Sequence, residues 1–414
     1  MNRRKFLQKV AGAGAFLALA PKVLAQGAKA FGEAALAPMK VLGIPLTPIS
    51  QRAATENHVV RYISDTLPSR HTGASFSPIE HFQGLITPSD LHFERHHGGV
   101  PTVDPAEYRL LIHGMVKQPL MFDLEAIKRY PSFNQVMFIE CGGNGQNGFS
   151  RTPDEAMTAT RSKGLVSNSE WTGTSLKLLL EEAGLDERAK WLLVEGMDGA
   201  AYTRSIPLDK ALDNCFLAYG QNGEALRPQQ GYPVRLMVPG WEGSTHIKWV
   251  RRIEVSDTPY MTRDETSKYT DPNPDGTTSF FTWEMLAQSI ITYPSGGQAL
   301  QAEGFYEIRG VAWTGAGKVK AVEVSTDGGE SWQEASLQEP VLSLSMVRFT
   351  LPWQWDGKET VLLSRAIDEK DYVQPSRAEV IKAWGYNHRY HYNGIQAWKV
   401  LEGGKVVNGD DVLS

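Results

Sequence analysis

An α+β domain followed by an immunoglobulin-like β-sandwich is the fold this sequence predicts, on three observations. Between His81 and about Pro259, apolar strand-like runs alternate with short amphipathic helical patterns. From Gly304 onward the pattern becomes one of short alternating strands separated by turn signals such as Gly315-Ala316-Gly317 and Asp327-Gly328-Gly329. Between the two, residues 260 to 295 are polar and centre on the turn cluster Asp271-Pro272-Asn273-Pro274-Asp275-Gly276, a connection able to fold back over a site.

The elements follow in order. Asn2-Arg3-Arg4-Lys5-Phe6-Leu7, an apolar stretch from Val10 to Ala20 and the small-residue site Val23-Leu24-Ala25 read as a signal peptide over residues 1–25, and the adjacent arginines resemble a twin-arginine signal. Residues 26–80, rich in Ala, Pro, Ser and Thr, read as an extended arm, and residues 81–290 as the first folded domain. Within that domain Tyr108 to Gly114 alternates like a strand, and Leu124 to Tyr130 has a helical pattern. Leu176 to Ala183 predicts a helix stopped by Gly184 and capped by Thr174 or Ser175. Trp191 to Val194 and Val234 to Val238 predict buried strands. In residues 291–403 the predicted sandwich strands are Phe305 to Trp313, Val319 to Ser325, Val347 to Leu351, Val361 to Ala366 and Ala397 to Leu401.

Composition narrows the function. The chain has 414 residues, of which 41% are hydrophobic and 21% charged, enough for two domains with full cores. A net charge of −5 gives no basic footprint for nucleic acid. Beyond the leader no apolar stretch has membrane-spanning length, so a soluble periplasmic protein is expected. Of the two cysteines, Cys215 reads as core packing.

Cys141 carries the chemistry. It ends the apolar run Val136 to Glu140 and opens the turn Gly142-Gly143-Asn144-Gly145, where missing side chains let a bulky group approach the backbone. A metal or cofactor ligand has this setting; so does a small buried hydrophobe beside a turn. Three further segments bear on the choice. In Leu91 to Pro101, Arg95, His96 and His97 enter a Gly-Gly turn and can grip an anionic cofactor, or simply face solvent. In Glu195-Gly196-Met197-Asp198-Gly199, Asp198 can accept hydrogen bonds from a heterocycle, or be an ordinary turn residue. Gly231 to Trp249 can cradle a phosphate with backbone amides, His246 and Lys248, or be a surface loop with scattered charges.

Together these segments resemble the molybdenum-containing sulfite oxidase family, and within it most closely the SoxC type, the molybdenum subunits of bacterial sulfane dehydrogenases. The phrases that carry the likeness are Phe93-Glu94-Arg95-His96-His97, Cys141-Gly142-Gly143-Asn144, and Gly231-Tyr232-Pro233-Val234-Arg235 through Val238-Pro239-Gly240 to His246-Ile247-Lys248-Trp249. The resemblance implies a sulfite oxidase-type molybdopterin-binding domain, an immunoglobulin-like dimerisation domain, and one molybdenum–molybdopterin per chain with Cys141 as its protein thiolate. It further implies cofactor contacts at Phe93, Arg95, His96, His97, Asp198, Gln230, Arg235, His246, Ile247 and Lys248, with Arg95 also facing the metal. His96 stands where sulfite oxidases carry asparagine, and Gln230 where they carry histidine.

Departures shift the expected substrate. Gly145 and Gln146 occupy the positions of an arginine pair that helps bind sulfite, and a second anion-binding arginine is replaced near His391-Tyr392-Asn393, which makes His391 a catalytic candidate. Fewer cations suit a neutral or protein-tethered sulfur better than a free dianion. Tyr269 is a candidate for the family's tyrosine beside the metal. The implied reaction is oxo transfer to a sulfane sulfur on a carrier-protein cysteine, with electrons passed singly to a c-type cytochrome partner. With no Cys-x-x-Cys-His, no haem is expected on this chain, and a homodimer or heterotetramer is. The rival readings are a free sulfite dehydrogenase, a molybdenum reductase of oxidised methionine, and a non-catalytic binding protein with an Ig-like module.

Overall fold

The computed structural model describes residues 40–64, 69–386 and 388–410; the expected signal peptide lies outside them. Residues 40–60 are largely exposed, as an arm would be. The chain from Tyr62 is more than an arm, however. Tyr62–Ile63 and Ala74–Phe76 pair antiparallel with each other, and Ala74–Phe76 pairs with Glu94–Arg95, so the segment read as an arm builds a small sheet that fixes Arg95.

Two five-stranded sheets form the rest of the first domain. One contains Ser132–Glu140, Val166–Ser175 and Phe216–Gln221, all antiparallel, with Glu224–Ala225 and Arg235–Met237 both paired to Phe216–Gln221. Its longest ladder runs from Ser132 opposite Thr174 to Glu140 opposite Val166, so the strand stops one residue before Cys141. The other sheet orders Leu120–Phe122, Leu110–Gly114, Val250–Ser256, Trp191–Gly196 and Thr203–Pro207, with Leu110–Gly114 and Val250–Ser256 parallel.

The helix Leu176–Ala183 buries Leu176, Leu179, Leu180 and Ala183, the i, i+3, i+4, i+7 stripe of an amphipathic helix, against the same core as Ile112, Leu192 and Ile253. Gly184 follows it with φ 72°, the left-handed stop expected. Its N-cap is Ser175, but no side chain caps it: the hydroxyl of Thr174 donates instead to the carbonyl of Pro131 at 3.0 Å. Cys215 is buried in this core, and burial pushes its thiol up to about 12.

The second domain is the expected sandwich. One sheet contains Gln288–Tyr293, Gly304–Trp313, Val347–Trp355 and Ser336–Leu337; the other contains Gln333–Glu334, Val319–Ser325, Thr360–Asp368, Trp398–Val400 and Val406–Asn408. Trp313, Phe349 and Trp398 fill the space between them. The strand Gln288–Tyr293 crosses the boundary expected at 290/291, because its register opposite Trp313 to Arg309 makes it a sandwich strand from its first residue. The sandwich core continues into Phe138 and Val166 of the first domain, so the two domains share apolar packing beneath the strand that delivers Cys141. Residues 260–287 do fold back, as a short helix Arg263–Ser267 and the paired Asp271–Pro272 and Thr278–Ser279. Among the described residues no helix is long and apolar enough to cross a membrane.

Candidate active site

Cys141 leaves its strand into a tightly tied turn. Its backbone N–H donates to the carbonyl of Leu165 at 2.9 Å, and its own carbonyl accepts from Asn144 N–H at 2.8 Å. The Asn144 side chain closes the turn, donating to Glu140 Oε1 at 2.8 Å and accepting from Leu165 N–H at 3.0 Å. With the backbone pinned on both sides, Cys141 lines a cavity between the turn and the segments around Arg95, Asp198 and Arg235.

The cavity wall joins every expected contact except two. Phe93, Arg95, His96, His97, Cys141, Asp198, Gln230, Arg235, His246 and Lys248 all line it. Ile247 does not: its side chain is buried in the core of the first domain, while its carbonyl accepts from Leu236 N–H at 2.8 Å. The side chain of Ile247 thus turns into the core while its neighbours His246 and Lys248 line the cavity. His391 lies behind the turn rather than in the wall; its N–H donates to the carbonyl of Gly142 at 2.9 Å and its Nε2 is 3.7 Å from Glu242 Oε2.

Glycine has a clear use at Gly98. A Cβ there would sit 2.3 Å from the backbone nitrogen of Ala200, so only glycine lets the His97 turn seat against the Asp198 turn. Asp198 Oδ1 accepts from Tyr202 N–H at 3.0 Å, and the Tyr202 ring stacks on His97 with centroids 4.6 Å apart. The hydroxyl of Tyr269 lies 3.0 Å from His97 Nε2, so the candidate tyrosine does line the cavity. Burial, followed by the charges of Arg95 and Lys248, pushes His97 down to about 3, so its ring is neutral.

The opposite wall is cationic. Lys248 Nζ donates to His96 Nδ1 at 2.8 Å and to the carbonyls of Arg95 and Gln229, both at 3.2 Å. Because Nδ1 accepts, His96 is the Nε2–H tautomer, and it donates to Glu94 Oε2 at 3.0 Å. Arg235 donates to the Gln230 carbonyl at 3.0 Å, to Gln230 Oε1 at 3.2 Å and to the His246 carbonyl at 3.3 Å. Burial alone pushes its guanidinium down to about 9, and burial likewise drives Lys248 well below the usual lysine range. Among the described residues neither cation donates to a carboxylate.

That pattern tests the cofactor the family would bring. A buried cation such as Arg235 with no hydrogen-bonded carboxylate is costly unless an anionic ligand completes it. Among the described residues Arg235 Nε and His92 Nε2 are buried in the same lining without a partner, so the site offers unspent hydrogen-bonding groups. A single thiol, that of Cys141, lines the cavity with these cations, and among the described residues no group of three or more His, Cys, Asp or Glu side chains could hold a metal ion. The donor set therefore fits an anionic organic chelate that brings its own metal ligands and takes one sulfur from the protein.

Several lining residues escaped the sequence. Tyr202 stands there unanticipated, and His92, Ser244 and Trp249 were quoted without a role. Trp249 ends the His246–Lys248 phrase and Tyr202 lies four residues past Asp198; adjacency to a motif was their available signal. Burial, the leading influence, pushes the Cys141 thiol above its usual range, with Arg95 opposing it.

The comparisons agree with this geometry. A family profile described as "Oxidoreductase molybdopterin binding domain" matches residues 97–263, and one described as "Mo-co oxidoreductase dimerisation domain" matches residues 279–397. Mitochondrial sulfite oxidase of Mus musculus is 33% identical over 341 residues, covering 75% of this chain; the chain spans 62% of that protein's length. Sulfite oxidase of Gallus gallus is 31% identical over 344 residues, covering 74% of each. The crystal structure of the sulfane dehydrogenase SoxCD from Paracoccus pantotrophus superposes with a TM-score of 0.86 at 40% identity, covering 89% of this chain and 95% of that one.

Proposed function

We propose, for a chain that belongs to the sulfite oxidase family of molybdopterin oxidoreductases, that it acts as the molybdenum subunit of a sulfane-type sulfur dehydrogenase. The observation that carries this is that the thiol of Cys141 shares one cavity with buried Arg235 and Lys248, neither of which donates to a carboxylate among the described residues. When bound, the molybdenum cofactor supplies two-electron oxo-transfer chemistry at sulfur.

The chain's own residues have separable tasks. Cys141 would be the protein thiolate; burial disfavours its ionised form, so a bound cation is what would hold the sulfur deprotonated. Arg235 and Lys248 would hold the anionic end of the pterin, and Asp198, His96 and His97 its heterocycle. Arg95 stands on the same wall as Cys141, fixed by donating to the carbonyls of Thr72 at 3.0 Å and of His96. Tyr269 lines the cavity and packs on Tyr390, with ring centroids 5.3 Å apart.

The substrate in this reading is sulfane sulfur on a carrier-protein cysteine. Gly145 and Gln146 offer no charge to a free dianion, and the likeness to the SoxCD structure points the same way. Electrons would leave to a c-type cytochrome partner, because the only cysteines in the sequence are Cys141 and Cys215. Export by the twin-arginine route would place the protein in the periplasm, and the sandwich domain would pair two copies.

The test is purification from periplasm, followed by oxidation of sulfite versus a persulfide-bearing carrier with haem reduction monitored. Faster haem reduction with the carrier supports the reading. Faster turnover of free sulfite assigns a sulfite dehydrogenase instead, and turnover of neither rejects both.

A further inference from the structure

Resting on the sulfur-dehydrogenase reading above, we propose that Arg204 is a positioning residue for Tyr269. It holds down the fold-back segment and sets the tyrosine hydroxyl beside His97 in the cavity where sulfur is oxidised.

The chain of contacts starts in the first domain. Arg204 stands in the strand Thr203–Pro207, opposite Val194, and is 1% exposed. Its Nε donates to Glu265 Oε1 at 2.9 Å, and the same oxygen accepts from Ser205 N–H at 2.7 Å. Glu265 belongs to the short helix Arg263–Ser267, so two neighbouring residues of one strand grip the fold-back segment at one buried carboxylate. Tyr269 lies just beyond that helix, and its N–H donates to the carbonyl of Asp264 at 3.1 Å. Arg204 also reaches the tyrosine directly, with its guanidinium carbon 4.7 Å from the centre of the ring, within cation–π range. The hydroxyl at the far end of that ring is the one 3.0 Å from His97 Nε2, and both residues line the cavity. The other arm of the fork, Nη1, donates to Glu242 Oε1 at 2.7 Å and to the hydroxyl of Ser244, which lines the cavity too.

Such a cluster is a poor device for stability alone. Burial works against the charge of Arg204, and Glu242 and Glu265 outweigh it, holding the guanidinium well above its usual range. Apolar side chains of the same volume often stabilise a fold as well as a buried ion cluster does. What a rigid planar fork adds is direction, because it fixes two carboxylates and one aromatic ring relative to one another. Tyr269 sits on a segment whose regular structure is a 5-residue helix and a pair of 2-residue strands, so its aim depends on ties of this kind.

The experiment compares steady-state turnover of the persulfide carrier by the molybdenum-loaded protein, with haem reduction monitored. Arg204→Met should lower kcat at least about tenfold, since misplacing a reacting end by about an ångström costs on the order of a hundredfold. In a Tyr269→Phe background the same substitution should cost less than about twofold, because no hydroxyl remains to be aimed. An equal fall in both backgrounds overturns the proposal, since a mere prop of the fold acts with or without that hydroxyl. Removing the cation strands two buried carboxylates; if Arg204→Met does not fold, Arg204→Lys, which keeps the charge without the fork, takes its place with the same two outcomes. Absence of wild-type turnover rejects the substrate reading, and the role of Arg204 is then scored by nitrogen NMR of the histidine-labelled full chain. The same measurement decides where wild type turns over but Tyr269→Phe does not. The His97 Nε2 resonance, assigned with Tyr269→Phe, should move in the Arg204 variant toward the position it takes in Tyr269→Phe. A resonance left at its wild-type position overturns the proposal.

Discussion

The carboxylate of Glu140 accepts a hydrogen bond from the indole Nε1–H of Trp313 at 2.7 Å, joining the residue before Cys141 to the centre of the sandwich domain. The same carboxylate accepts from Gln288 Nε2 at 2.9 Å and from Asn144 at 2.8 Å. Its burial, the leading influence, holds the carboxyl above the usual range. The sandwich is thus a floor beneath the cysteine turn as well as a candidate pairing surface. Trp313→Phe keeps an aromatic ring but strands a buried acceptor, and should cost about 1–3 kcal/mol in chemical denaturation. Turnover should fall with it, because the turn loses one of its ties. A variant as stable as wild type would mean that the bond contributes nothing.

Arg235→Met should act with opposite signs on the two states of the protein. Without cofactor it removes a buried cation whose leading influence is burial, and denaturation should show stability unchanged or raised by about 1 kcal/mol or more. Pterin retained after purification, read by fluorescence of the oxidised pterin, should fall sharply. Loss of stability together with full pterin retention would assign Arg235 to the fold alone.

Gly98→Ala places a methyl group where the nitrogen of Ala200 already lies, at 2.3 Å from the new carbon. The His97 and Asp198 turns must then separate. The expected result is a folded protein that loses cofactor, measured as molybdenum per chain against wild type. Normal metal content would show that the contact between the turns is dispensable.

Acid should weaken the cofactor-free protein through its buried histidines. Burial pushes His92, His97 and His246 each down to about 3, whereas in an unfolded chain each ring titrates near 6.5. Between those values the unfolded state binds more protons, so stability rises with pH and is lost as pH falls from about 6.5. Each ring adds at most about 1.4 kcal/mol per pH unit to that slope. Melting temperatures between pH 7 and 5 should fall less steeply for His92→Phe than for wild type. Equal slopes would show that His92 is not held neutral.

Much of this was legible in the sequence where short-range pattern decides. The strand that ends before Cys141 and the helix Leu176–Ala183 follow from apolar periodicity within a few residues. The phrases around Arg95, Asp198, Arg235 and His246 named most of the cavity wall. What stayed hidden depends on long-range pairing. Tyr62–Ile63 and Ala74–Phe76 are too short to show a period, and only their pairing with each other and with Glu94–Arg95 makes them strands. Gln288–Tyr293 reads as loop until its register against Gly304–Trp313 is known. Ile247 was implied by the resemblance alone, and its side chain is buried in the core of the first domain.

Metal X-ray absorption on wild type and Cys141→Ser, prepared in a host that makes the cofactor, tests the central claim most directly. The account predicts molybdenum near one per chain in wild type and one sulfur neighbour fewer in the variant, with haem reduction abolished while the chain stays folded. An unchanged sulfur count with full activity in Cys141→Ser, or wild-type protein free of molybdenum, would contradict it.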